Sequence, residues 1–349
     1  MNEDIQLEED VKDEASLDAV FIGSGGAEAK FIKIKNTLSR PFILFSSGKN
    51  NSLAASFEIK TYCAQNDLVE CFLTGNAEDV AEAIKHIANI FYSREKINNT
   101  NLGVIGKPSD WLIGSKVDKK DAKETFGINL IDIDYSEFTS LIDLHELPIN
   151  HPRYNELVKR YKDKDVLNGA LYIYSAIKKL VNKYDLKGVT IRCFDLLGTY
   201  KNTSCLALAM LNEEGIVAGC EGDVPSLISM YLVNTFTGRP CFMCNPSSIN
   251  LQKLEMVLAH CTVPFNMISK YELPTHFESN LGIGIKGTLN EGKATIFKLS
   301  SDIKGSNDLI IPVTIKENLS LPGLCRTQIS VPLNEVEMIE VIKQNFGNH

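Results

Sequence analysis

The segment IVAGCEGDVPSLISMYLVNTFTG, residues 216–238, places two acids between apolar runs. Glu221 follows a short β-rich run and precedes a helix-like run that is apolar on nearly every side, so we expect it to lie close to the core. A carboxylate there needs a partner, and a cation is the usual one. Asp223 stands where a helix N-cap belongs, with Pro225 in the first turn and Gly238 at the end. Capping and site membership are equally open for Asp223.

A second acid has the same setting, because Asp195 ends the strand-like run VTIRCF and precedes another apolar pair. Ligand sites of open parallel sheets gather at the carboxyl ends of the strands, so we expect Asp195 and Glu221 to face one crevice. Two such carboxylates can bind a divalent cation, divide general acid and base roles, or do both. A glycosidase pair and a structural ion site fit the same pattern.

His260 closes the run LEMVLAH and is a third candidate, although a histidine in such a place is more often a core residue than a ligand. Carboxylates combined with imidazoles suit Mn²⁺, Co²⁺ or Fe²⁺, whereas oxygen ligands alone suit Mg²⁺ or Ca²⁺. These residue types therefore predict a divalent-metal site, an acid–base site, or a combination of the two.

The order of apolar runs predicts an α/β protein. Short β-rich runs alternate with amphipathic stretches as far as Pro264, which is typical of parallel sheets covered by helices. Later runs are separated by Gly, Asn and Asp turns and suit an antiparallel sheet or barrel. We expect two doubly wound parallel-sheet domains and then a mostly antiparallel β domain. The expected parts are an acidic, flexible head at 1–17, α/β domains at 18–145 and 146–264, and a β-rich domain, truncated at its end, at 265–349.

The composition argues against nucleic-acid and membrane functions. The net charge is −8, but residues 1–14 carry seven acids and one lysine, so the rest of the chain is close to neutral and offers few cations to phosphates. The longest uncharged stretch, Val224 to Gly238, has fifteen residues and is too short to span a bilayer. Nine scattered cysteines and no secretory signal predict free thiols and a cytoplasmic protein.

Several blocks resemble the L-fucose isomerase and L-arabinose isomerase superfamily, from about residue 20 to the end. In chain order they are SSGKNNSLAAS, GKPSDWLIGS, IRCFDLL, CEGDVPSLISM, FTGRPCFMCNP, VLAHCTVP, CRTQISV and the terminal GNH. The resemblance implies an enzyme that interconverts an aldose and its ketose, on a deoxyhexose or pentose, through an enediol. It also implies two α/β domains with a β-barrel, a divalent metal, usually Mn²⁺, and a homotrimer or homohexamer with sites between subunits.

The same resemblance implies a set of metal and catalytic residues. Asp195 and Glu221 match the two acids that bind the metal and act as acid and base, with Asp195 standing where better-known relatives carry Glu. Asp223 and His260 would support or complete the metal sphere. His349 resembles part of the family's terminal Gly-x-His-His type motif, which supplies a metal ligand and whose continuation is missing from the sequence.

Substrate-binding residues are also implied. They are Lys49, Asn50, Trp111 and Arg326. The first three follow expected strand ends in the first domain and would reach into the site of a neighbouring subunit. Trp111 fits both a sugar-stacking platform and a partly buried core position.

Other functions fit parts of the sequence. The run VFIGSGGAEAKF places glycines after a strand, but Glu28 stands where a dinucleotide-binding loop has its third Gly and would repel pyrophosphate. Cys241 and Cys244 form a CxxC without a second pair, which disfavours a zinc or redox site. An inactive sugar-binding or regulatory homologue of the isomerase fold fits the Asp195 replacement and is the main alternative to the enzyme.

Overall fold

The structure is a computed structural model that describes residues 17–300, 303–304, 308–343, 347 and 349. The acidic head expected at 1–17 lies outside these residues except for its last position, so its flexibility stays a prediction. The chain forms two compact units, Met1–Lys96 and Ile97–His349. Among the described residues, no helix combines the length and the apolar character that crossing a membrane requires.

The first unit is built from alternating strands and helices. They are β1 (Ala19–Ile22), α1 (Glu28–Ile34), β2 (Phe42–Ser46), α2 (Ser52–Gln65), β3 (Glu70–Thr74) and α3 (Ala77–Ile97). The three strands form a parallel sheet in the order β1-β2-β3. Phe31 of α1 packs against Phe42 of β2 with 5.9 Å between ring centroids, and Ile59 and Cys63 of α2 are buried in the same cluster.

The second unit begins with another parallel sheet and its helices. They are β4 (Asn101–Ile105), α4 (Lys119–Phe126), β5 (Asn129–Ile133), α5 (Tyr135–Ile142), α6 (Tyr154–Arg160), α7 (Lys164–Lys183), β6 (Leu186–Ile191), α8 (Asp195–Tyr200), α9 (Cys205–Glu213), β7 (Val217–Gly219) and α10 (Val224–Thr237). The strand order is β5-β4-β6-β7, and all pairs are parallel. Every residue of α10 from Val224 to Leu232 is buried, which confirms the buried helix that the apolar run predicts.

The remainder of the second unit is mostly antiparallel. Its elements are β8 (Asn245–Asn250), β9 (Glu255–His260), β10 (Ile268–Glu272), β11 (Lys286–Leu289), β12 (Gly292–Lys298), β13 (Leu309–Ile315), β14 (Glu317–Asn318), β15 (Thr327–Pro332) and α11 (Glu335–Lys343). One sheet has the order β14-β15-β9-β8, and two hairpins pair β10 with β11 and β12 with β13. Burial alternates strictly along β13, as one-sided strands require. The predicted mixed α/β fold, with parallel sheets before antiparallel ones, is confirmed.

One parallel sheet joins strands from both sides of residue 145. The expected first α/β domain contains both the strands of the first unit and β4 and β5. In the structure β4 lies between β5 and β6 and pairs with both of them. The run LEMVLAH, expected within 146–264, forms β9 of the antiparallel sheet. Local composition identifies a strand without identifying its partner, because pairing depends on distant segments. The three boundaries between the four expected parts stay a prediction.

Candidate active site

The loop after β7 carries the acids of the opening segment. Glu221 has a left-handed backbone, with φ of 61°, and Gly222 follows with φ of 72°. A Cβ at Gly222 would lie 2.7 Å from the carbonyl oxygen of Lys107, so this position requires glycine. A left-handed conformation is strained for a glutamate, and such strain is often found at functional sites.

The Glu221 carboxylate is buried, with the residue 8% exposed, and both of its oxygens face donors. Trp111, on the loop after β4, donates its Nε1 hydrogen to Oε2 at 2.6 Å. His349 places Nε2 at 3.5 Å from Oε1. The amide of Ser109 donates to the backbone carbonyl of Glu221 at 2.9 Å, which ties the two loops together.

Asp223 does both things that its position in the sequence allows. Its Oδ1 accepts a hydrogen bond from the Ser226 amide at 2.8 Å and so caps α10. Its Oδ2 lies 2.9 Å from Nδ1 of His349. Lys298 Nζ lies 4.0 Å from the same carboxylate, which is fully buried. Because a carboxylate only accepts, Nδ1 of His349 carries the hydrogen, and Nε2 is left for another partner.

Each of the two histidines of the site is oriented by a hydrogen bond at its Nδ1 atom. The side chain of His349 is 1% exposed, and its Nε2 has no hydrogen-bond partner among the described residues. His260 ends β9, is 5% exposed, and holds Thr262 Oγ1 with Nδ1 at 2.8 Å. The two rings lie 5.3 Å apart between centroids. His260 therefore also keeps Nε2 available as a ligand atom.

The charges of this group are tuned by burial and by its own members. Burial raises the pKa of Glu221, but the charge of the nearby His349 ring and the hydrogen bond from Trp111 outweigh burial and hold that pKa below its usual range. Burial lowers the pKa of His349, yet Asp223 and Glu221 raise it to about 9. Burial, followed by the charge of His349, lowers the pKa of His260 to about 3. One proton on His349 therefore offsets one of the two carboxylate charges, and a bound cation would replace that proton.

Glu221, His260 and His349 fit a metal ion. Each offers one ligand atom, the three atoms lie within 4.8 Å of one another, and all three side chains are buried. One carboxylate with two imidazoles, leaving further positions open, is a donor set typical of first-row divalent metals. The buried Nε2 of His349 supports this interpretation, because buried polar atoms without a partner are rare. Asp223 lies behind His349 as its orienting carboxylate.

Two members of this group, Glu221 and His260, line a cavity of about 200 Å³. Its lining includes Glu221, His260, His276 and Glu278, together with five cysteine thiols, those of Cys193, Cys205, Cys220, Cys261 and Cys325. Drug-sized ligands occupy sites of roughly 300–1,000 Å³, so this cavity suits a smaller molecule such as a monosaccharide. Sequence reasoning missed His276 and Glu278. They stand two residues apart in a polar turn, with no periodic pattern to single them out.

Asp195 does not join Glu221 in the cavity, which corrects the expected convergence of the two acids. Its side chain is 45% exposed and accepts a hydrogen bond from Arg192 Nε at 2.9 Å. Arg192 also bonds Asp110 at 2.7 Å and the carbonyl of Pro108 at 2.9 Å. The cause is local. Asp195 is the first residue of α8, and Arg192, three residues earlier, forms an ion pair with its carboxylate.

Trp111 and Arg326 act within their own unit. Trp111 is 50% exposed, packs edge-on against Phe194 at 4.9 Å and bonds Glu221 of the same chain. Arg326 donates from Nε to the carbonyl of Thr275 at 2.7 Å and from a terminal nitrogen to Thr275 Oγ1 at 3.2 Å. Arg326 therefore braces the turn that carries His276, and its direct contact with a substrate stays a prediction.

Lys49 and Asn50 lie in the first unit. Both are exposed and follow β2, and Asn50 has a left-handed backbone with φ of 53°. Their expected reach into the site of a neighbouring subunit stays a prediction.

The fold and the site describe a mixed α/β protein with a buried Glu–His–His group at the edge of a parallel sheet. A sulfoquinovose isomerase from Alkalicoccus urumqiensis is 22% identical over 316 residues, covering 86% of this chain and 70% of the relative. One from Priestia megaterium is 22% identical over 307 residues, covering 82% and 69%. One from Clostridium sp. (strain MSTE9) is 23% identical over 298 residues, covering 79% and 65%. No family model matches the chain.

Proposed function

We propose that this chain is a divalent-metal-dependent aldose–ketose isomerase. The observation that carries the proposal is the buried group of Glu221, His260 and His349, of which Glu221 and His260 line a cavity of about 200 Å³. The relatives support the class of reaction, because those described above share the name sulfoquinovose isomerase, which indicates an isomerase that acts on a sugar.

The residues of the site have separate tasks in this proposal. Glu221, His260 and His349 would hold the cation through one oxygen and two ring nitrogens. A divalent cation there would polarise the sugar oxygens at carbons 1 and 2 and stabilise negative charge on them. Asp223 fixes the tautomer of His349, and Thr262 fixes the ring of His260. Trp111 holds the second oxygen of Glu221, so the carboxylate keeps one orientation.

The substrate and the assembly are the finer parts of the proposal. The resemblance of the sequence blocks supports a deoxyhexose or pentose of the L-fucose or L-arabinose type as substrate and Mn²⁺ as metal. It also supports a homotrimer or homohexamer, in which Lys49 and Asn50 reach the site of a neighbouring subunit. The cavity volume suits a single sugar ring.

The test uses the full chain stripped of metal with a chelator and then supplied with Mn²⁺, Co²⁺ or Mg²⁺. The sugar panel contains L-fucose, L-arabinose and sulfoquinovose, and the measurement is ketose formation. We expect turnover that appears on metal addition and is lost in His260→Gln. His86→Gln is the matched control, because the His86 side chain is 74% exposed. Metal-independent turnover would contradict the metal proposal.

The sugar-binding alternative predicts a different result in the same experiment. A protein that binds one of these sugars in the presence of metal, yet forms no ketose from any of them, would be an inactive homologue. Binding is measured by calorimetry with the metal-loaded protein. The absence of both metal binding and turnover would overturn the proposed function.

A further inference from the structure

The cavity wall carries two carboxylates among the described residues, those of Glu221 and Glu278. The oxygens of Glu221 face Trp111 and His349, and Glu221 is one of the three candidate metal ligands. Asp195, the acid expected to be the second carboxylate, is paired with Arg192 and does not line the cavity. Glu278 forms no hydrogen bond or ion pair with any described residue. It is therefore the carboxylate that remains free to contact a ligand.

The turn that carries Glu278 is closed on itself. The amide of His276 donates to the carbonyl of Leu281 at 3.0 Å, and the amide of Asn280 donates back to the carbonyl of His276 at 3.0 Å. Arg326 holds Thr275, the residue before this turn, through two hydrogen bonds. A turn tied at both ends presents its side chains in a defined place, which a reacting group requires.

We infer that Glu278 is the carboxylate that transfers the proton between the two sugar carbons, with Glu221 confined to binding the metal. This inference rests on the proposed isomerase function. It assigns to Glu278 the role that the sequence resemblance gives to Asp195.

The step balances without any other reactant. The carboxylate of Glu278 takes the proton from carbon 2 of the aldose, and the electron pair of that C–H bond forms the second bond between carbons 1 and 2. The carbonyl oxygen on carbon 1 takes up the electron pair of its double bond and becomes negatively charged. It then receives the proton of the hydroxyl on carbon 2, so the negative charge moves to the oxygen on carbon 2. The carboxylic acid returns its proton to carbon 1, and the oxygen on carbon 2 becomes the carbonyl. Nothing is oxidised or reduced overall, as an aldose–ketose exchange requires.

The electrostatics of the cavity agree with this division. Glu278 is exposed as a residue, but its partial desolvation at the cavity wall raises its pKa, and the negative charge of Glu221 raises it as well. A carboxyl group with a raised pKa is a stronger base when ionised and returns a proton more readily near neutral pH. The surroundings lower the pKa of Glu221 and raise that of Glu278. The first therefore suits metal binding and the second suits proton transfer.

His276 is the other titratable side chain on this part of the wall. Its Nδ1 lies 3.0 Å from Ser279 Oγ, and its ring packs edge-on against Phe194 at 5.6 Å. Burial and, second to it, the charge of Arg326 lower the pKa of His276. The neutral ring that results is suited to hydrogen bonding with a sugar hydroxyl. A histidine in direct proton transfer is therefore the rival outcome of the test.

The experiment compares Glu278→Gln with the wild-type chain, both loaded with Mn²⁺. We expect metal affinity to be unchanged by calorimetry and kcat to fall by roughly 100-fold or more, the range for removing a general base. Exchange of the carbon 2 hydrogen into D₂O should fall equally. Glu272→Gln is the matched control, because the Glu272 side chain is 74% exposed on β10. Glu278→Asp should keep part of the activity with a displaced pH profile, which a purely structural role would not produce.

Two results would overturn the inference, and they can be told apart. If the wild type forms ketose and Glu278→Gln turns over at a similar rate, Glu278 is not the proton carrier while the isomerase function stands. A loss of carbon 2 exchange in His276→Asn, with Glu278→Gln unaffected, would assign the transfer to His276. If the wild type neither forms ketose nor exchanges that hydrogen with any sugar of the panel, the proposed function fails and the inference fails with it.

Discussion

The ends of β6 and β7 carry acids in nearly the same local setting, but the two acids have different surroundings. Asp195 follows β6 and lies half-exposed in an ion pair with Arg192. Glu221 follows β7 and lies buried between Trp111 and His349. Both positions follow a buried parallel strand and precede apolar residues, so the difference does not come from the strand end itself.

The difference comes from where the nearest cation stands in the chain. Arg192 is three residues before Asp195, so that acid is satisfied locally and takes part in bracing the loop after β4. Glu221 has no such neighbour and is completed by His349, which is remote in sequence. A strand-end acid is therefore a stronger site candidate when no cation lies within a helical turn of it.

Trp111 connects the two regions. Arg192 binds the carbonyl of Pro108 and the carboxylate of Asp110 on the loop after β4. The same loop brings Trp111 to Glu221 at 2.6 Å. The ion pair at the end of β6 thus supports the donor that orients the acid at the end of β7.

The largest expected effect separates the two acids directly. Glu221→Gln should abolish metal binding and lower activity by on the order of 1,000-fold, because the carboxylate ligand and its charge are lost. Asp195→Asn should lower activity by less than about 10-fold, since it weakens a half-exposed ion pair. Calorimetry with Mn²⁺ and ketose formation measure both variants. Comparable losses in the two variants would contradict the comparison.

The next effect separates the two functions of Asp223. Asn at position 223 still caps a helix but cannot carry the negative charge that His349 contacts. Asp223→Asn should therefore lower metal affinity by roughly 10- to 100-fold, as loss of a residue behind a ligand does. Asp223→Ala should show this loss and also destabilise the fold by about 1 kcal/mol through the missing cap.

Metal titration and thermal unfolding of both Asp223 variants provide the measurements. Equal metal affinity in Asp223→Asn and the wild type would show that capping is the sole task of this side chain. Equal unfolding temperatures for the two variants would show that the cap contributes little to stability.

A smaller effect is expected where the two regions meet. Trp111→Phe keeps an aromatic ring against Phe194 but removes the hydrogen that Glu221 Oε2 accepts. We expect metal affinity to fall by about 10-fold, because the ligand carboxylate is less constrained. Calorimetry measures this change, and for the wild type the fluorescence of the single Trp should respond to Mn²⁺. No fluorescence response would contradict a metal at Glu221.

The local parts of the site follow from the sequence. Glu221 and Asp223 are recognisable because an apolar run stops for them and resumes as a capped helix, and the structure has that helix from Val224 to Thr237. His260 is recognisable at the end of an apolar run, which forms β9. The ion pair of Asp195 is also local, since Arg192 lies three residues away in IRCFD.

The remaining parts depend on contacts that no local pattern records. Trp111 and Glu221 are 110 residues apart and meet through the strand order β5-β4-β6-β7. His276 and Glu278 reach the cavity on a turn between β10 and β11, with no hydrophobic period to mark them. Which sheet a strand joins depends on the packing of the whole unit, so the placement of β4 and β5 was not predictable from their own residues.

Glu214 is a third ion-paired or buried acid, and it does not line the cavity. Its replacement has the smallest expected effect. Glu214 follows α9 and contacts His151 at 3.0 Å, Tyr174 at 2.6 Å and Lys178 at 2.5 Å. Burial raises its pKa, but these hydrogen bonds bring the pKa down to about 2, from an ordinary value of 4.5. Like Asp195 it has nearby cations, so we expect it to affect stability and not metal binding.

The sign of the pH effect follows from the lowered pKa of Glu214. A carboxyl group with a lowered folded-state pKa stabilises the fold above its ordinary value of 4.5, and that stability is lost as the pH falls towards 2. Its side chain is 24% exposed, so the contribution at neutral pH is on the order of 1 kcal/mol after solvent screening.

Glu214→Gln should therefore unfold more easily at pH 7 and lose less stability than the wild type between pH 4.5 and 2. Thermal unfolding across that range tests this, with Glu124→Gln as the control because the Glu124 side chain is 63% exposed. Parallel pH profiles for Glu214→Gln and the wild type would contradict the assignment, and a changed Mn²⁺ affinity would contradict the expectation that this ion-paired acid lies outside the metal site.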